Sequence, residues 1–421
     1  MAANSFGGPA GQIAAMHDEI VERRKWVSEA SFLHALNYCM LLPGPEAQQL
    51  ATYLGWLRKG FRGGFLAGGL FILPGFVSIM VLSILYVEWG DVAWVEGVFR
   101  GIAPAVIAIV AHAVWRIGKR TIKNGTMLAI AAAAFIAIFF YQLPFPLIIL
   151  AAGLIGLVGA SLRPTTFVTI ERHKGDASGR GRDRRSAATA LIVVAGLTLW
   201  LAPVALITML LGSDSIWSEI GVFFSQAAVV TFGGAYSVLA YMAQQVVEAY
   251  RWISPSEVID GLALAETTPG PLIQVTQFVG FLAAHRNPGN LAPLSAAVLG
   301  ALLTTWVTFV PSFLWIFAGA PYVERLRDRP RLAGALSTIT AAVVGVILNL
   351  GVWFGVYTLF GEVEESISFG ARLLVPDLAT IDWFGVVVAI GAWIALTRLQ
   401  QRILTVVGFA AAAGILVTVL G

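Results

Sequence analysis

Cysteine occurs once, at Cys39, in a chain of 421 residues, which excludes an internal disulfide framework and any cysteine-rich metal site. Charge is scarce too: only 12% of residues are Asp, Glu, Lys or Arg, where soluble domains carry about 25%. The five histidines form no HExxH or paired His/Cys spacing, and no Walker-type motif is present. Neither a metal, a nucleotide nor another cofactor is therefore expected. The net charge is only +3, and the basic residues fall in short loops, a pattern that reports topology rather than nucleic-acid binding. Residues 1–15 lack the charged-then-apolar layout of a cleavable signal peptide. The longest polar stretch, 163–186, is too short for a soluble catalytic domain.

What the chain has is apolar length. Hydrophobic residues make up 58% of it, and runs of about 20 recur, enough to cross a bilayer core. The expected fold class is an all-α polytopic membrane protein. Against that background "LLPGPEAQQLATYLGW" (41–56) is out of place. Pro43 and Pro45 block helix continuation, and a helix broken in lipid needs protein, water or a ligand to satisfy the freed backbone.

The motif has a second copy. "SFGGPA" at Ser5 and "TFGGAY" at Thr231 lie 226 residues apart, and Trp26/Trp252, Pro43-Gly44-Pro45/Pro269-Gly270-Pro271 and Gln48/Gln274 share that offset. "LPGF" (73–76) and "VPSF" (310–313) match at offset 237. Two repeats follow: a first over 1–162, a basic linker over 163–186, a linking helix over 187–212, and a second repeat over 213–421. Such repeats are the usual ground plan of secondary transporters. Apolar spans lie near 64–87, 98–115, 126–141 and 144–162 in the first, and near 291–318, 333–358, 382–397 and 402–420 in the second. Loop charges alternate basic, acidic, basic after the first Pro-Gly-Pro ("RKGFR", "EWGDVAWVE", "RIGKRTIK"). After the second they run weakly charged, basic, acidic ("AHRNPGN", "ERLRDRPR", "GEVEE"). Since cytoplasmic loops are enriched in Lys and Arg, the repeats are expected to be inverted. The FGG and PGP segments fit either re-entrant hairpins, giving 9 spans, or broken full crossings, giving 13. Hairpins are preferred because they keep "ERRKW" (22–26) on the cytoplasmic side.

Pro45 suits the first position of a new helix, where its missing N–H is not needed. The N–H groups after it point into the break with the positive end of the helix dipole, which makes an anion site. Pro271 repeats this, with Thr267 and Thr268 adding hydroxyls. Gly7-Gly8 and Gly233-Gly234 allow close backbone approach, with Ser5 and Thr231 beside them. Four such ends would hold a tetrahedral oxyanion without a buried Lys or Arg. A kink tolerated by neighbouring helices is the plainer reading of any one alone. The substrate-binding set is Ser5, Gly7, Gly8, Pro43, Gly44, Pro45, Gln48, Thr231, Gly233, Gly234, Thr267, Thr268, Pro269, Gly270, Pro271 and Gln274. Gln48, Gln49 and Gln274 serve as amide donors to substrate or as interhelical bonds. Glu46, Glu266 and His34 are the proton-coupling candidates, since intramembrane ionisable groups are functional by default. A carboxylate in a first helical turn is also favoured by the dipole alone. Arg23, Arg24 and Lys25 hold topology or steer an anion toward the cytoplasmic mouth. No catalytic and no metal-ligating residue is assigned.

"SFGGPAGQIAAMHDEIVERRKW" (5–26), "FLHALNYCMLLPGPEAQQLATYLGW" (32–56), "TFGGAYSVLAYMAQQVVEAYRWIS" and "LALAETTPGPLIQVTQFVGF" resemble the chromate ion transporter family, long two-domain type, over nearly the whole chain. The resemblance implies a bacterial or archaeal inner-membrane carrier that exports chromate, an analogue of sulfate, driven by the proton gradient. It places the family's motif residues at 5–9, 43–46, 48, 231–234 and 269–271. One departure stands out: family members usually carry an apolar segment before the first motif, as "IWSEIGVFFSQAAVV" (216–230) precedes the second, whereas only "MAAN" precedes Ser5. That implies either a start codon set too late or a truncated form whose first hairpin lacks one wall. Besides the exporter, the reading leaves a carrier for uptake or exchange of sulfate or another tetrahedral oxyanion, and an anion channel. An enzyme is not expected, because the spans hold too few ionisable residues for a convergent catalytic set. The partners are a small inorganic oxyanion and membrane lipid, with a homo-oligomer left open.

Overall fold

A computed structural model describes residues 8–90, 92–168, 186–232, 234–319, 330–368 and 370–420. Most of the basic linker expected over 163–186 and most of "ERLRDRPR" (324–331) lie outside these residues. The first repeat begins with α1 (Gly8–His17), a π turn (Asp18–Arg23) and α2 (Glu29–Cys39). It continues through α3 (Glu46–Trp89), α4 (Ala93–Thr121), α5 (Gly125–Phe139) and α6 (Phe145–Leu162). After the four-residue α7 (Pro164–Phe167), the linking helix is α8 (Ser186–Leu211). The second repeat comprises α9 (Ile216–Val230), α10 (Ala235–Gln244), a π turn (Gln245–Ala249) and α11 (Pro255–Thr267). A 3-10 turn (Leu272–Gln274) leads into α12 (Val275–Arg286), then α13 (Pro293–Gly319), α14 (Pro330–Leu359), α15 (Trp383–Thr397) and α16 (Ile403–Leu420).

Seven of these helices are long and apolar enough to cross a bilayer: α3, α4, α6, α8, α13, α14 and α16. The chain is a multi-pass membrane protein. Each of the nine expected spans has its helix. However, α5 and α15 have only 15 residues, about 22 Å, short of the ~30 Å hydrocarbon core. One departure is a β-hairpin, β1 (Val363–Ser368) with β2 (Ala371–Pro376), where the sequence suggested only an acidic loop.

The repeat is written into the backbone. Each first arm ends in a π turn, followed by a left-handed residue at offset 226, Lys25 (φ 49°) and Arg251 (φ 54°). A serine then caps the next helix: Ser28 Oγ accepts from Ser31 N at 3.2 Å and Ser254 Oγ from Glu257 N at 3.3 Å. In the second copy Glu257 returns the bond to Ser254 N at 2.9 Å, completing a capping box.

The described chain forms two compact units, and both repeats contribute to each. Among the described residues, one unit falls within 8–84, 186–238 and 268–319; the other falls within 85–168, 239–267 and 330–420. In the second unit, α4 packs on α16 and α15 while α14 packs on α6 and α5. Each repeat thus lends its long helix to the other repeat's closing pair. Small residues carry these crossings, as membrane helix packing favours. A side chain at Gly97 would meet the backbone of Gly414 and Ile415, and one at Gly334 would meet that of Gly156. The pairs are related by the repeat. One turn on, a side chain at Gly101 would meet the Ala410 carbonyl, whereas Thr338, its counterpart, donates to the Ala152 carbonyl at 2.7 Å. Replacing Thr338 with valine is expected to cost about 1 kcal/mol, read as a modest drop in thermal midpoint in detergent.

In the first unit the chain turns back twice. Tyr38 on α2 and Tyr53 on α3 have ring centroids 5.4 Å apart. A helix continuing across the break would set them about 22 Å apart, so the segment reverses at Pro43–Pro45. This is hairpin geometry. Then α3 breaks at Lys59 (φ −133°, ψ 17°) and Gly60 (φ 64°, ψ −147°). A side chain at Gly55 would there meet the Gly63 carbonyl, which a straight helix would hold about 12 Å away. The enclosed core holds Phe32, Ala35, Tyr38, Leu50, Tyr53, Leu54 and Phe71, with Ile316 and Phe317 from the second repeat.

Candidate functional site

Both PGP breaks lie in the first unit and share one backbone shape. Gly44 has φ 123° and Gly270 φ 121°, values that L-residues with a side chain rarely adopt. The prolines prepare the helices that follow. Pro271 is the N-cap of the 3-10 turn, in extended conformation (φ −63°, ψ 130°), and Pro45 immediately precedes α3. The sequence placed both at the first helical position; each sits one residue earlier. The N–H groups of the first turns have no acceptor within their own helices, and Ala47, Gln48, Leu272 and Ile273 there are buried.

Each break is completed by the opposite repeat. At the first, Gly44 N donates to the Thr231 carbonyl at 2.8 Å, and the Glu46 carboxylate reaches within 4.0 Å of where a side chain on Gly234 would begin. Ser312, from "VPSF", stands 2.6 Å from the position of a Cβ on Gly44. At the second, Gln12 Nε2 of α1 donates to the Gly270 carbonyl. Gly75 of "LPGF", the repeat counterpart of Ser312, sits against Gly270, with its Cα 2.9 Å from the Cβ position there.

Side-chain amides hold these shapes. Gln49 Nε2 donates to the Pro43 carbonyl at 2.7 Å, a bond within its own break rather than between helices. Gln48 Nε2 donates to Thr52 Oγ1 at 3.0 Å. Gln274 and Gln277 donate to the carbonyls of Ile72 and Phe76, each at 3.0 Å. The buried Oε1 atoms of Gln12, Gln48, Gln49 and Gln277 have no hydrogen-bond partner among the described residues. Two hydroxyls expected to face substrate donate into their own helices: Thr231 to the Ala227 carbonyl at 2.6 Å, and Thr267 to Leu264 at 2.8 Å.

The structure thus brings together Pro43, Gly44, Pro45, Glu46, Gln48, Thr231, Gly234, Thr268, Pro269, Gly270, Pro271 and Gln274 in one unit. Gly8 opens α1. Ser5, Gly7 and Gly233 lie outside the described residues. Glu266, 2% exposed, and Thr267 end α11 in the other unit's span of chain. His34 is half-buried on α2. Arg24 pairs with Glu19 at 2.5 Å and holds that carboxyl below the usual carboxylate range. Arg23 reaches the same carboxylate at 3.7 Å, and Lys25 occupies the left-handed turn. With Arg58, which lies over Trp26, Arg23 and Arg24 rim an apolar groove of about 800 Å³ lined by Met16, Leu54 and Phe71. His17 Nε2 donates to the Glu29 carboxylate at 2.5 Å, a hydrogen bond that raises its proton affinity above the usual histidine value.

Sequence reasoning missed Gln12, Gly75 and Ser312. Gly75 and Ser312 lay in plain view, in the motif pair that set the second offset. Among the described residues no group of three His, Cys, Asp or Glu side chains is arranged to hold a metal.

Residues 1–157 and 218–415 match the chromate transporter family. A chromate transport protein of Pseudomonas aeruginosa is 32% identical over 89% of this chain and 83% of its own length. One from Cupriavidus metallidurans is 29% identical over 81% of this chain and 77% of its own. A probable chromate transport protein of Synechococcus elongatus is 27% identical over 99% and 93%. No solved structure matches.

Proposed function

This chain belongs to the chromate transporter family, and from that premise we propose that it exports chromate across the cytoplasmic membrane as a proton-driven secondary carrier built on two inverted repeats. The observation that carries the proposal is the crossed construction of the two breaks. Each PGP segment is closed by the other repeat's FGG arm and "LPGF"-type segment, so the two anion-favouring helix starts share one unit. Helix N-termini hold an oxyanion through backbone N–H groups and dipole. A site made of N–H donors, without a fixed cation, can release a divalent anion after each crossing. The membrane potential contributes as well: a divalent anion leaving a negative interior gains roughly 4.6 kcal/mol per 100 mV. Glu46, within reach of the Gly234 turn, and Glu266 with His34 are the candidate groups for the proton. Sulfate, with the same shape and charge, fits the same donors and is the natural competitor.

Inside-out membrane vesicles energised with a proton gradient test this directly. They should accumulate radiolabelled chromate, lose it on addition of an uncoupler, and be inhibited by excess sulfate. With the potential clamped so that only a pH difference remains, accumulation marks proton coupling, and equilibration without accumulation would mean a passive pathway such as a channel. No chromate movement at all would overturn the assignment.

A further inference from the structure

Asp260 lies 226 residues after His34 and, like it, nine residues before the first proline of its PGP motif. His34 stood out in the sequence for proton traffic; Asp260 belongs to none of the FGG, Trp or PGP motifs that mark the repeat. In the structure Asp260 sits in the middle of α11, half-buried. One turn on, on the same face of the helix, lie Ala263 and Leu264, 1% and 7% exposed. The Tyr86 hydroxyl donates to Asp260 Oδ2 at 2.9 Å. That phenol is fixed in turn, edge-on to Phe99 of α4 with ring centroids 5.1 Å apart.

Helices α4, α14 and α16 pack on α11. The groups that act on Asp260 are Tyr86, whose hydroxyl is neutral, and Glu257, one turn earlier on the same helix and of like charge. Glu257 is itself committed to the Ser254 cap. No Lys, Arg or His pairs with Asp260 among the described residues. A carboxylate among apolar side chains, with one neutral donor and no counter-ion, is costly to keep charged. Partial exposure leaves it open to exchange a proton.

We propose that Asp260, positioned by Tyr86, is the residue that binds and releases the coupling proton in the second repeat, at the position His34 occupies in the first. The step is one O–H bond: a proton joins the carboxylate in one orientation of the carrier and leaves the carboxylic acid in the other. Tyr86 is a positioning residue; its hydroxyl hydrogen stays in place. The inference rests on the reading of the chain as a proton-driven carrier.

The test uses the full chain in proteoliposomes, with two assays. Chromate/chromate counterflow without a gradient reports the carrier alone; gradient-driven accumulation reports coupling. If wild type shows no counterflow, the transport reading itself fails. Given wild-type counterflow, Asp260→Asn should exchange chromate within about twofold of wild type, lose driven accumulation at least tenfold, and lose its pH dependence. Tyr86→Phe should keep driven uptake but move its pH midpoint upward, since the carboxylate loses its one donor, and Asp260→Glu should restore coupling in part. Wild-type accumulation and pH profile in Asp260→Asn would overturn the proposal. So would equal loss of counterflow and accumulation in Asp260→Asn with an unmoved pH profile in Tyr86→Phe, which would mark the pair as structural.

Discussion

Replacing Gly270 with alanine is expected to lower chromate transport by roughly a hundredfold or more, while Gly44→Ala lowers it less. Both glycines have φ near +120°, where a Cβ is strained by about 1–3 kcal/mol whatever surrounds it. The surroundings then separate them. At Gly270 the added carbon would lie 2.9 Å from the Cα and 3.1 Å from the N of Gly75. That is backbone inside a helix, which cannot retreat cheaply, and overpacking adds another ~1–3 kcal/mol. At Gly44 the nearest atoms are Ser312 Oγ at 2.6 Å and Gln49 Nε2 at 2.7 Å. Those are side-chain ends that can turn away, at the expense of the Gln49 bond to Pro43. Since each 1.36 kcal/mol is a factor of ten in rate, the Gly270 change reaches two orders of magnitude or more. Transport per unit of folded protein, measured in vesicles, reads it. Gly69→Ala, where a Cβ meets nothing within 4 Å, should stay within about twofold of wild type. Equal, mild effects at Gly44 and Gly270 would show that backbone shape at the breaks does not govern transport.

Removing Arg372 is expected to have the largest effect on stability. Its side chain is 8% exposed and pairs through Nη1 with Glu248 at 2.7 Å and Glu365 at 3.3 Å. Its backbone N–H donates to the Phe140 carbonyl at 2.7 Å, joining the β-hairpin to the end of α5. Truncating one member of a buried pair costs about 3–5 kcal/mol because the other charge is left behind. Here Glu248 is 26% and Glu365 49% exposed, and solvent screens them, so Arg372→Met should cost about 2–3 kcal/mol. The thermal midpoint in detergent should fall by several degrees, and Glu248→Gln in the same chain should recover part of the loss. A double variant no better than the single would show that the guanidinium's packing matters more than its charge.

Much of this architecture was legible in advance, for local reasons. The offset of 226 found from FGG, Trp and PGP reappears in the π turns, in Lys25 and Arg251, and in Gly44 and Gly270, because the same short patterns meet the same backbone constraints. The preferred hairpin at Pro43–Pro45 agrees with the Tyr38–Tyr53 contact. What could not be read was partnership. Gln12 touches Gly270 across 258 residues, and nothing in the spacing of either residue encodes that pairing. The hydroxyls of Thr231 and Thr267 looked like free donors by type, but a threonine near a helix C-terminus has a carbonyl one turn back within reach. The strand at Val363–Ser368 was hidden by adjacent glutamates that suggested a loop, and with every position after Val363 exposed it carries no two-residue burial period to betray it.

The crossed breaks carry a consequence for how such a polypeptide could be divided. Cutting the chain in the linker between the repeats would leave each half with two incomplete corners. The first half would keep Pro43–Pro45 but not Thr231 or Ser312; the second would keep Pro269–Pro271 but not Gln12 or Gly75. Neither fragment alone could assemble even one finished break, yet the pair together would hold every part of both. Covalent continuity sets the ratio of the halves at one to one. The architecture itself asks only that they meet.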